Sequence, residues 1–147
     1  MFTAKRIFIV IPILWLGFVL SISFMEAWLK FQAEGVTQAI GLSIGKLVFG
    51  VLNKVELFFL ITLLLCVFIN SPIKKHKASK YLLFFLVLIL VMQTFYLIPI
   101  LDLRIEQILN KTTPQSSSMH LYYVLIEVLK TTILIMLSHK SLQNANI

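Results

Sequence analysis

The sequence predicts an all-α integral membrane protein, a bundle of four spanning helices, and three observations predict it. Apolar residues make up 59% of the 147 positions and charged residues only 13%. Mean hydropathy is +0.96, and the apolar residues gather in four long runs separated by short polar connections. A soluble domain of this length could not hide that much apolar surface, and the four runs leave almost nothing over for one. A single four-span domain over residues 1–147 is the economical reading, with no internal repeat or low-complexity tract to suggest another.

Crossing a hydrocarbon core of roughly 30 Å takes about 20 helical residues at about 1.5 Å each, which tests each run by length. The first, near 7–25, holds nineteen residues without a charge. It exceeds the apolar region of a secretory leader, contains Pro12 and Trp15, and runs into Phe24 and Met25 rather than a small-residue cleavage site, so it is read as a retained span. The second, near 47–69, carries Lys54 and Glu56 but is otherwise apolar. The third, near 81–101, has Gln93 as its strongly polar member, and the fourth, near 119–137, carries Glu127 and Lys130.

The connections differ in kind. Over residues 28–45, Trp28, Phe31, Val36, Ile40 and Ile44 recur at roughly helical spacing among polar residues, which predicts an interfacial segment or a broken extension of the first two spans. Gly41 and Gly45 form a G-x-x-x-G, which in a membrane helix permits close backbone approach. Asn70, Ser71 and Pro72 end the second span, and residues 110–118, with Pro114 and three serines, predict a flexible loop.

Basic residues fix the expected orientation, because they collect on the cytoplasmic side. Lys5, Arg6, Lys74, Lys75, Lys77, Lys80 and Lys140 make seven at one end, against Lys30, Lys46, Arg104 and Lys111 at the other, or five there with Lys54 near the outer end of the second span. Both termini are therefore expected in the cytoplasm, in a bacterial inner membrane. The net charge of +7 is mostly this signal, and no basic soluble face exists that would bind nucleic acid.

Several chemistries are excluded by residue type. Cys66 is alone, so no disulfide, CxxC pair or thiolate metal site arises within one chain. His120 and His139 lie at opposite ends of one span and His76 in a connection, so no two histidines face each other as haem ligands. No metal site and no cofactor is expected, and the reading favours a role other than catalysis.

What remains is the set of ionisable and amide groups at membrane depth, where a charge costs at least a few kcal/mol and faces the bundle interior. Counted from the cytoplasmic ends at about 1.5 Å per residue, Glu127, Gln93 and Glu56 lie roughly 15, 18 and 20 Å deep. Three helices thus feed one layer. On a helical wheel Glu56 shares a face with Gly45 and Phe49, with Asn53 nearby, while Lys54 points away and is expected to snorkel outward. In the fourth span His120, Tyr123, Glu127, Thr131 and Ser138 form a stripe with Lys130 at its edge, and Glu127 and Lys130 are spaced for an i, i+3 ion pair. Asn53, Glu56, Gln93, Tyr123, Glu127 and Lys130 are the candidate binding layer. Glu26, Lys46, Asp102, Arg104 and His120 are the candidate outer vestibule.

Two resemblances bear on these residues. The segments Glu26-Ala27 through Lys30-Phe31, Gly41-x-x-x-Gly45-Lys46-x-Val48-Phe49-x-x-Leu52-Asn53-x-x-Glu56, Pro99-x-Leu101-Asp102-x-Arg104 and His120-Leu121-x-Tyr123-x-x-x-Glu127-x-x-Lys130 resemble an uncharacterised family of small bacterial four-helix membrane proteins. That resemblance implies an inner-membrane bundle and no particular activity. Lys46, Gly50, Asn53 and Glu56 are similar to part of the second-helix pattern of the membrane-associated glutathione and eicosanoid enzymes, which would imply a glutathione-dependent transferase or isomerase. Phe49 stands where that pattern has an arginine, the third span lacks its Arg-Tyr pair, and the expected orientation is opposite. Ion or small-solute handling, or the binding of a membrane partner or a second copy of the chain, is the expected role within the lipid bilayer.

Overall fold

The computed structural model describes residues 2–69, 77–110 and 118–143. The stop at residues 70–72, most of the loop at 110–118, His76, and the basic residues Lys74, Lys75 and Lys111 fall outside them. The described chain is all-α: four packed helices, each long and apolar enough to cross a membrane, spanning Ala4–Gln32, Gln38–Ile69, Lys77–Leu109 and Met119–Gln143. It is a multi-pass membrane protein by helix length and composition. The helices run alternately up and down, so the starts of the first and third and the ends of the second and fourth share one end, here the terminal end. Residues 26–49, 98–110 and 118–123 lie at the other, distal end.

The packed interior divides along the bundle axis. Phe8, Leu63, Cys66, Leu83, Leu86, Leu134 and Leu137 are buried together in the terminal half with Trp15 and Leu90. The polar residues Asn53, Glu56, Gln93, Glu127 and Lys130 are buried distal to them. Large apolar side chains such as Leu47, Phe58, Phe68, Phe95 and Leu125 cover the outside; facing acyl chains, they need no protein partner. Trp28, Tyr96 and Tyr122 are exposed toward the distal end, as expected of aromatic rings at a headgroup boundary.

The second and third helices, at 32 and 33 residues, exceed the roughly 20 needed to span. Their surplus lies distally, where Lys46, Asp102, Arg104 and Glu106 sit. The first helix departs from regular winding, passing from α at Phe2–Val19 through a π-helical stretch, Leu20–Glu26, to a short α turn, Ala27–Leu29, and a 3₁₀ turn, Lys30–Gln32. It ends where Ala33 turns extended and Gly35 adopts φ +78°, a left-handed conformation that costs only glycine little. Thr37 then starts the second helix, its Oγ1 accepting from the Ile40 amide at 3.3 Å and its carbonyl from the Gly41 amide at 2.9 Å.

Residues 28–45 take the second of the two expected forms, a broken extension of the first two spans, and are not one interfacial segment: 28–32 finish the first helix, 33–37 turn, and 38–45 begin the second, because Gly35 turns left-handed and Thr37 caps the new helix. One expectation is corrected: Gly41 and Gly45 do not admit a neighbouring backbone. A β-carbon at Gly41 would collide with the Phe31 ring, and one at Gly45 would lie 2.9 Å from Lys30 Nζ. The glycine notch receives two side chains from the end of the first helix.

The third helix is π-helical at Gln93–Leu97 and resumes α at Ile98–Leu109. Pro99 is the local cause, since its ring clashes with the carbonyl four residues back and it has no N–H to donate. Wide turns beside such a proline relieve the clash and re-aim the side chains they carry.

Candidate functional site

Lys130 is the largest charged side chain in the interior, 0% exposed, and its surroundings follow from what an ammonium requires. Three N–H donors need three acceptors. Nζ lies 2.5 Å from Glu56 Oε1, 2.8 Å from Glu127 Oε1 and 3.0 Å from Gln93 Oε1. The acceptors come from the second, fourth and third helices.

The remaining bonds close the layer. Gln93 turns its amide oxygen to the ammonium and donates Nε2–H to Glu127 Oε1 at 2.7 Å; the reverse orientation would set N–H against ammonium and oxygen against carboxylate. Trp15, also fully buried, donates its indole N–H to Glu56 Oε1 at 2.9 Å. All four helices therefore meet at one level. With both carboxylates ionised the layer holds two negative charges and one positive, in a place where charge is poorly solvated.

A second polar tier lies distal to the first. Asn53 Nδ2 donates to Thr94 Oγ1 at 2.9 Å, and Thr94 returns a bond to Asn53 Oδ1 at 3.3 Å. Gln93 and Thr94 both sit in the π-helical stretch, which presents adjacent residues to the second and fourth helices. Tyr123 is buried one turn distal to Glu127, interacts with both carboxylates, and meets Phe49 edge to face with ring centroids 5.6 Å apart. Above it Lys30 Nζ stands 5.4 Å from the Phe49 ring centre and 5.5 Å from that of Phe31, a cation–π arrangement. Lys30 also pairs with Glu26 at 3.1 Å.

The six candidate layer residues thus fall into one nest: Glu56, Gln93, Glu127 and Lys130 bonded together, Asn53 and Tyr123 directly distal. Trp15 and Thr94 belong to it as well. A tryptophan amid an aliphatic run, away from either headgroup level, signalled a buried N–H in need of an acceptor; Thr94 follows Gln93 in sequence but had no signal of its own. Lys54 is exposed, on the side away from Glu56.

The vestibule candidates do not converge on one point. Lys46 bonds Glu106 at 2.6 Å, tying the second helix to the third, with Asp102 close enough to interact with Lys46. Glu26 pairs with Lys30 on its own helix. Arg104 is half-buried and His120 exposed, and neither joins those pairs. Of the residues similar to the glutathione enzymes' pattern, Asn53 and Glu56 are bonded internally to Thr94, Trp15 and Lys130, and Lys46 to Glu106.

Tyr96 lies three residues distal to Gln93, and Tyr122 five distal to Glu127. At about 1.5 Å per residue along the helices the layer is roughly 5–8 Å from the level of these exposed rings. Against protein-family models, curated proteins and solved structures, the chain matches none.

Proposed function

We propose that the layer around Lys130 handles a small ion within a multi-pass inner-membrane protein whose termini are both cytoplasmic. The observation that carries this reading is the wholly buried ammonium held by Glu56, Gln93 and Glu127 from three helices. Glue between helices would not require it. Interhelical hydrogen bonds between neutral groups join spans at a contribution of about 1 kcal/mol each, whereas buried charges bring a desolvation cost that their mutual attraction offsets only with near-complete bonding. A layer of two carboxylates and one ammonium is a poor adhesive and a natural place for charge to be exchanged.

The neighbouring groups support the same reading. Directly distal to the layer lies a second tier of Asn53, Thr94 and Tyr123, hydroxyl and amide groups able to relay an ion's hydration. Binding of a membrane partner is less favoured by the burial, since Glu56, Gln93, Glu127 and Lys130 are at most 2% exposed and offer a neighbour no surface.

The test is flux. Protein reconstituted in sealed vesicles should move protons, sodium or potassium down an imposed gradient, measured with an ion-specific dye for each. Glu127→Gln should abolish that movement while the protein stays folded. Absence of movement for all three ions in either gradient direction would remove the reading.

A further inference from the structure

The hydrogen bonds in the layer are unequally shared. Lys130 spends its three donors on three Oε1 atoms, and Gln93 directs an amide N–H to the Glu127 Oε1 that already accepts from Lys130. Glu127 Oε2 is left buried with no hydrogen-bond partner, on a side chain 2% exposed. One turn toward the terminal end Thr131 Oγ1 is also buried and partnerless. Residues four apart on a helix share one face, so Thr131 lies on the Glu127 stripe one turn along, not bonded to it, while on the distal side the Tyr123 hydroxyl is directed at the Glu127 carboxylate.

Charge and space are unbalanced in the same place. Facing Glu127 are Trp15 from the first helix, Glu56 from the second, Gln93 from the third, and Tyr123 and Lys130 from its own. Lys130 is the sole cation among them, and the two carboxylate oxygens it touches are within about 5 Å of each other. The position a metal cation would take between the carboxylates is filled by the tethered ammonium. Among the described residues no three His, Cys, Asp or Glu side chains group to hold a metal. The excess negative charge can be balanced by a cation small enough to sit on one oxygen.

We infer that the layer binds one exchangeable proton on Glu127 Oε2, with the Thr131 hydroxyl as its hydrogen-bond partner through one water. This rests on the ion-handling reading and names the ion. Uptake forms one O–H bond on the carboxylate with a proton from water; release breaks that bond, returns the proton to water and regenerates the carboxylate, with no change of oxidation state. Toward the terminal end the stripe continues to Ser138, whose Oγ is likewise buried and partnerless, but the fully buried Leu134 intervenes. In this conformation the proton is held, not conducted through.

Infrared spectroscopy of the full chain in lipid at neutral pH reads the proton as the C=O stretch of a carboxylic acid, which shifts in deuterium oxide if exchangeable. One such band is expected in the native protein. It should vanish in Glu127→Gln, and vanish also in Glu56→Gln, where one carboxylate then balances one ammonium. Thr131→Val should keep the band and shift its frequency. No band in the native protein, a band surviving Glu127→Gln, or an unshifted band in Thr131→Val overturns the assignment. Sodium or potassium flux without the band would sink the proton and leave ion handling standing; the band without any flux would do the reverse.

Discussion

Trp15 donates its indole N–H to Glu56 Oε1 across 2.9 Å, both side chains being almost wholly buried, and this one bond attaches the first helix to the charged layer. Trp15→Phe keeps most of the ring volume and removes the donor. Hydrogen bonds to charged groups contribute about 1.5–3 kcal/mol, so unfolding in detergent or lipid should become easier by roughly that amount. Trp28→Phe, at an exposed ring, is the control and should change little. Equal stability of the two variants would show that Glu56 does not depend on the indole.

The seat of Phe31 against Gly41 gives a second expectation. A methyl group at Gly41 overlaps the ring, whereas Gly17 and Gly50 have open space around the corresponding position. Overpacking at a filled site costs about 1–3 kcal/mol, so Gly41→Ala should destabilise the distal end while Gly17→Ala and Gly50→Ala are neutral or slightly favourable. Adding Phe31→Ala to Gly41→Ala should recover most of the loss, because the obstacle is then gone. A double variant no better than Gly41→Ala alone would mean that the glycine serves backbone approach after all.

Much of this fold was legible because membrane spans announce themselves by length and apolarity, without depending on any particular partner. The layer is legible for a related reason: Glu56, Gln93, Glu127 and Lys130 are conspicuous in apolar runs, depth counting at a fixed rise per residue puts Glu56, Gln93 and Glu127 in one layer, and i, i+3 spacing adds Lys130. The 28–45 region was harder. Its apolar spacing continues through Gly35 and Thr37, and only the left-handed glycine and the threonine cap decide that one helix ends and another begins. Gly41 and Gly45 carry a spacing that usually signals backbone contact, yet spacing cannot tell a helix from a phenylalanine ring as the occupant of a notch. Trp15 shows by its place amid an aliphatic run that its N–H needs an acceptor, but not which helix supplies it.

Orientation is open to direct measurement. The seven basic residues assigned to the terminal end are expected to hold it in the cytoplasm. A reporter fused after Lys77 should be active only in cytoplasmic-type assays, and a cysteine placed at exposed Leu103 should react with an impermeant thiol reagent added outside; Cys66 is buried and should contribute little background. Labelling of the Leu103 position only after the membrane is breached would invert the bundle and turn the distal tier of Asn53, Thr94 and Tyr123 toward the cytoplasm.

The charge count of the layer makes amide substitutions diverge in a way that a purely structural role for the carboxylates does not. Glu56→Gln and Glu127→Gln each leave one carboxylate for Lys130 and keep the hydrogen-bonding shape, so each single variant should be about as stable as the native chain. The double variant leaves a buried ammonium with amides alone, and an unpaired buried charge costs about 3–5 kcal/mol. Its thermal stability should fall well beyond the sum of the two singles, and adding Lys130→Gln should restore it by removing the stranded charge. Ion movement should be lost in Glu127→Gln and stay lost in the restored triple variant, which separates folding from function. If the double variant were as stable as the singles, the ammonium would be finding another partner, and the layer would not be the closed charge network its distances describe.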